Sequence, residues 1–292
     1  MSVTCFGVTN TAQIAVAEPS GTVRGTITLH TGGAGTGYWG TQPSQPFTKA
    51  YLGAGYRTVQ VKWSKAWEDG SLGLRHSGCF PATLYRYVFD HVHGADTTKG
   101  FCGQGISGGS ASIGYSLAHY GLDDIFDYAL LVSGPAVSQL AAGCDVPGYA
   151  GPAPTLCPSI PSPLYALPKP AIDGSEATST CDCGSAGCVA PVDAAKWQAD
   201  GVVSPGATYD HPKTAISFWY CGNANTNGST DGAFYYDALS AVATNDVSVH
   251  CYGGASGPAS SCTGEAVFAD PTAFADAVSL MTDPAKGCIA RH

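Results

Sequence analysis

Apolar and polar positions alternate along the first 30 residues. VTCFGV at 3–8, AQIAVAEP at 12–19 and TVRGTITLH at 22–30 each read as strands joined by short turns. The glycine-rich stretch TGGAGTGYWG follows at 31–40, then an expected helix over 45–54 and a buried strand, TVQVKW, at 58–63. PATLYRYVFDHVH (81–93) opens on a proline and spaces Leu84, Val88 and Val92 four residues apart, the stripe of a helix with one buried face. GFCGQGI (100–106) predicts a short strand, SGGSASIGYSLAHYGL (107–122) a helix, and YALLVSG (128–134) another strand. The alternation lapses over 138–212 and resumes with strand AISFWYCG (215–222), a helix near 232–243, strand VSVHCY (247–252) and helix PTAFADAVSLM (271–281).

Strand and helix in turn imply an α/β architecture, a mostly parallel sheet with helices on both faces. The interruption carries eleven of the nineteen prolines and five of the twelve cysteines. A structureless stretch of that length is uncommon within a compact domain. It predicts a disulfide-stapled cap at 138–212, inserted between a first core part at 1–137 and a second at 213–292.

Composition narrows the class. Charged residues are 12% of the 292, about half the usual share, and the formal charge is −9 with only 13 Lys and Arg. Nucleic acid and anionic membranes both need a basic surface, so neither is an expected partner. No apolar run reaches the 18 or so residues of a bilayer span. The cysteines are even in number and spread from Cys5 to Cys288, which predicts disulfides and an oxidising, extracellular setting. About ten thousand pairings are open. Cys181, Cys183 and Cys188 alone offer a possible metal cluster, but three thiolates with no nearby histidine fall short of a zinc set. A Met followed at once by mature-looking sequence fits a chain whose secretion signal has been removed.

The chemistry concentrates in CGQGISGGSAS, residues 102–112. Gly105-Ile-Ser107-Gly-Gly109 fits G-x-S-x-G between an expected strand and an expected helix. There a serine takes a strained backbone conformation and its neighbours must be small. A phosphate loop would need G-x-x-x-x-G-K-[ST], and no lysine follows. Gly103-Gln-Gly105-Ile-Ser-Gly108 also matches a dinucleotide turn, with Asp123 and Asp124 downstream. That turn normally follows the first strand of its unit, however, and here several strands precede it. Glycines kept only for close packing are the remaining reading. LHTGGAGTGYWG, after an earlier strand, is where a second oxyanion N–H would come from, with His30 shaping the loop.

GISGGS (105–110), AHYGL (118–122) and SGP (133–135) together resemble secreted α/β-hydrolase-fold serine esterases, a cysteine-rich bacterial group. The resemblance covers about 20–140 and 195–282. It implies an α/β-hydrolase fold with an eight-stranded sheet, no cofactor, and hydrolysis of carboxylic esters through an acyl-enzyme. Ser107 would be the nucleophile, Gly108 one oxyanion donor and the Gly32–Gly33 region the other.

Two family positions differ here. Gly222-Asn-Ala-Asn225 carries an amide where the family has its aspartate, and Asp231 is the next carboxylate. Asp231 equally fits a helix N-cap. The loop after VSVHCY has no histidine; Ser256 or Glu265 takes that place, depending on the alignment. His250, within the strand, is the nearest imidazole. Ser107, His250 and Asp231 are therefore the expected catalytic set. A non-catalytic hydrolase-fold protein that binds a ligand is the alternative. Few charges near the serine point to a neutral ester, small or polymeric, as substrate. Tyr38, Trp39, Tyr165 and Trp197 are aromatic candidates for a pocket wall or for ordinary packing.

Overall fold

The structure is a computed structural model, and it describes residues 1–33, 35–39, 46–68, 72–140, 156–157, 191–221, 227–252 and 267–292. In chain order its elements are β1 (Ser2–Cys5), β2 (Val8–Ala17), β3 (Gly25–His30), α1 (Pro46–Gly53), β4 (Tyr56–Trp63), α2 (Leu74–Ser77) and α3 (Cys79–Val88). There follow β5 (Gly100–Ile106), α4 (Gly108–Tyr120), β6 (Tyr128–Val132), α5 (Pro191–Asp200), β7 (Ala215–Cys221), α6 (Asn227–Ser240), β8 (Val247–Tyr252) and α7 (Pro271–Thr282).

Eight strands form one sheet in the order β1-β2-β4-β3-β5-β6-β7-β8. β1, β2 and β4 pair antiparallel; every pairing from β4 through β3 to β8 is parallel. The central strands β5, β6 and β7 are buried along nearly their whole length because both their faces are covered. β2, nearer the edge, buries only alternate residues along its first half. Ile113, Leu117, Tyr85, Phe126 and Phe218 belong to the core on one face, with α3, α4 and α6. Leu29, Leu130, Trp219, Phe47 and Met281 belong to the other, with α1 and α7.

The helix expected from Pro81 starts two residues earlier and ends in a π-turn over Phe89–His93. Proline is tolerated there because first-turn N–H groups have no intrahelical acceptor. Cys5–Cys79 fastens β1 to α3, Cys102–Cys288 fastens β5 to the C-terminal tail, and Cys157–Cys251 fastens the 138–212 segment to β8. None of the described cysteines is free. Cys181, Cys183 and Cys188 lie outside the described residues, among which no metal-binding cluster occurs. No described helix is long and apolar enough to cross a membrane.

Much of the expected cap lies outside the described residues; Tyr165 is there too. Its described C-terminal part runs beside α4. Tyr115 Oη donates to Asp200 O at 2.8 Å, Thr208 N to Ala118 O at 2.8 Å, and Trp197 is fully buried.

Candidate active site

Ser107 joins β5 to α4 with φ 52° and ψ −116°, a left-handed conformation that a side chain-bearing residue adopts only under constraint. Four hydrogen bonds supply that constraint. Ser107 N donates to Val132 O at 2.8 Å, and Ala111 N donates back to Ser107 O at 3.0 Å. Ser110 Oγ, one helical turn on, donates to Gly105 O at 2.7 Å and contacts Val132 O at 2.9 Å. The glycines follow from the same crowding. A Cβ on Gly105 would lie 2.4 Å from Gly109 C, and one on Gly109 would lie 2.4 Å from His30 O. The sharp turn thus exists because the β5 and α4 backbones touch where no side chain fits.

The loop after β3 closes over this turn. A Cβ on Gly32 would sit 3.2 Å from Ser107 Cβ, and one on Gly108 would meet Gly33 O at 2.3 Å. Gly33 itself has φ 58°. The structure thus brings Ser107, Gly108, Gly32 and Gly33 together. Gly108 begins a 13-residue helix, whose first N–H groups have no partner within the helix and carry its positive end. That is a suitable environment for a developing oxyanion.

Glu68 is the residue sequence reasoning missed. Its Oε1 would be 2.8 Å from a Cβ on Gly108, so a half-buried carboxyl group stands against the residue after the nucleophile. A glutamate in a turn beyond a strand carries no pattern that could have announced this.

The expected base and acid are engaged in other contacts. His250 pairs with Trp219, which pairs with Val132, which pairs with Ile106. It therefore stands level with the end of β5 but three strands across, roughly 14 Å at ordinary strand spacing. Its ring stacks on Trp219 with centroids 4.4 Å apart, Ser248 Oγ is 3.4 Å from Nε2, and burial lowers its pKa. Asp231 lies a turn inside α6 and so is not its N-cap. Its carboxyl accepts from Ser138 N at 2.5 Å and Gln139 N at 3.1 Å, holding the chain that leaves β6. Burial raises its pKa to about 7, against the opposing pull of those N–H groups.

All eight histidines fall among the described residues, and there no imidazole hydrogen-bonds Ser107. His30 packs edge-on against Tyr85, and burial lowers its pKa to about 3, so it stays neutral. Asn225, Ser256 and Glu265 lie outside the described residues. Trp39 is buried against Phe47 and Tyr38 Oη reaches Gln13; Trp39 is packing, as is Trp197. A cleft of about 520 Å³ near His119 and Asp200 lies at the other end of α4. Helical rise puts it roughly 18 Å from Ser107.

No protein-family model and no curated protein matches the chain. Solved structures do. A bacterial heroin esterase superposes with TM-score 0.59 at 15% identity, over 96% of this chain and 81% of that one. Brefeldin A esterase, a bacterial homologue of human hormone-sensitive lipase, gives 0.57 at 17% identity, over 97% and 74%. The acylaminoacyl peptidase of Pyrococcus horikoshii gives 0.56 at 8% identity, and this chain, matched throughout, spans 41% of its length. At such identities the likeness speaks for architecture, and the architecture is the α/β-hydrolase fold.

Proposed function

We propose that the protein is a secreted serine hydrolase of neutral carboxylic esters, small or polymeric, acting through an acyl-enzyme on Ser107. The observation that carries this reading is the backbone of Ser107 at φ 52°, held at a glycine-packed turn against Gly32 and Gly108. Such strain persists only where the surroundings enforce it, and functional sites are where it concentrates. Ser107 Oγ would attack the ester carbonyl carbon while its proton leaves to a base. The oxyanion would be met by Gly108 N–H and by the Gly32–Gly33 loop, and the alcohol would depart protonated. Water would then attack the acyl carbon, release the acid and restore the serine. The described disulfides suit an extracellular chain, and the cap at 138–212 would border the pocket.

His250 and Asp231 serve other contacts in this arrangement, and a serine hydroxyl without a base loses roughly 10⁴-fold or more in rate. Those other contacts, His250 stacked on Trp219 and Asp231 holding Ser138 and Gln139 N–H, favour a second reading, a hydrolase fold that binds a ligand without turning it over. Short-chain nitrophenyl esters separate the two. Steady turnover that Ser107→Ala abolishes supports the esterase. Folded wild-type protein that leaves them intact from about pH 6 to 9 supports the binder.

A further inference from the structure

We propose that the cleft at the far end of α4 is a second binding site, which takes a small organic acid with a ring-bearing apolar body and one carboxylate. It lies roughly 18 Å along the helix from Ser107 and does not depend on that serine's chemistry.

The β1–β2 turn, α2, the end of α4 and α5 together wall the cleft. Its volume of about 520 Å³ is within the range of small-molecule sites. Phe6 and Gly7 make the turn between Cys5 and Val8, with φ 50° and 82°. Such turns favour Asn, Asp or Gly, and a bulky side chain there is an outlier. Burial of its own surface does not account for Phe6, which is 62% exposed with its ring edge-on to His76 at 4.6 Å. The neighbouring Cys5–Cys79 bridge fixes this turn against α3. A strained aromatic held open on the wall of a cleft is suited to contact a ligand.

Arg75 supplies the polar end. Its main-chain N–H donates to Asp200 Oδ1 at 2.9 Å, and its carbonyl accepts from Tyr120 Oη at 2.6 Å. Both partners line the cleft, so the guanidinium extends from a point fixed on two sides. It ion-pairs with no carboxylate among the described residues. His119, beside it, is neutral, because burial lowers its pKa to about 4. Asp200 is the one acid among the described residues of the cleft, and Leu74 and Arg75 N–H groups occupy its carboxyl. Burial raises the Asp200 pKa to about 6, against the pull of those N–H groups and of His76 and Lys196. A planar guanidinium meets a carboxylate through two parallel N–H···O bonds. The rings of Phe6, His76 and Tyr120 would take the apolar body.

Titration calorimetry with 2-naphthoate, and with 2-naphthamide as its neutral counterpart of like shape, tests this on the wild type, Arg75→Gln and Phe6→Asn. Circular dichroism confirms each fold. The wild type should bind the acid about tenfold tighter than the amide, the scale of one charge-assisted hydrogen bond. Arg75→Gln should remove that preference and leave the amide's affinity unchanged. Phe6→Asn, which suits the turn better, should weaken both ligands alike while the melting temperature holds or rises. Should Arg75→Gln fail to fold, Arg75→Lys, which keeps the charge and loses the planar fork, should still bind the acid less tightly than the wild type. Acid bound no tighter than amide by the wild type, or neither bound at millimolar concentration, would overturn the proposal. So would a preference that survives in folded Arg75→Gln, or a fall there shared equally by acid and amide. Wild-type affinities in Phe6→Asn would overturn it too.

Discussion

Gly108 illustrates how one atom can decide a site. Gly108→Ala would thrust a methyl group to 2.3 Å from Gly33 O and 2.8 Å from Glu68 Oε1, so the oxyanion loop and the helix start must separate. Losing one oxyanion donor typically costs about 10²–10³ in kcat. The expected result is a loss of that order in ester turnover together with a lowered melting temperature, since overpacking of this kind costs about 1–3 kcal/mol, measured by steady-state kinetics and calorimetry. Ser110 is the contrasting residue. Its hydroxyl is consumed by Gly105 O and Val132, so Ser110→Ala should lower stability while Ser107 remains reactive. Asp231 gives a pH signature. Its folded-state pKa is raised by burial to about 7, so between roughly pH 4 and 7 the native state holds a proton that the unfolded chain has released. Stability from this group is therefore full at low pH and is lost as pH rises towards 7, with a slope up to about 1.4 kcal/mol per pH unit. Asp231→Asn should flatten the stability–pH curve in that window, as read by urea unfolding at several pH values.

Elements were legible in the sequence wherever a periodic pattern ran long enough. β5, β6, β7 and β8 are unbroken apolar or alternating runs, and α4 and α7 fall within a residue or two of expectation. α2 was not foreseen because four residues show no periodicity. It is held instead by Asp200, 126 residues away, which accepts from Leu74 N and Arg75 N at the helix start. Contacts of that range leave no local trace. The nucleophile turn was readable because its glycines and serine are adjacent in the chain, whereas Glu68 and the grip of Asp231 on Ser138 depend on folding. Hydrogen bonds to a charged group contribute about 1.5–3 kcal/mol each. Asp200→Ala should thus destabilise the protein by about that amount or more, visible as a lower denaturation midpoint with an unchanged m-value.

Over the whole molecule, cross-links join distant parts of the chain. Cys102–Cys288 spans 186 residues and ties the tail beneath β5, where Asp127 also accepts from Phe101 N at 2.8 Å. Each native bridge of this kind stabilises by about 2–5 kcal/mol. Reduction should lower the melting temperature markedly, and thiol titration of the denatured, unreduced protein should find few free thiols. Six or more per chain would contradict the extracellular reading. The account as a whole turns on whether the strained serine is reactive. Treatment with a fluorophosphonate probe, followed by peptide mapping, asks that directly. The account predicts one modified residue, Ser107, with labelling lost in Ser107→Ala and kept in Ser112→Ala. Folded wild-type protein that stays unlabelled across about pH 6 to 9 would contradict it.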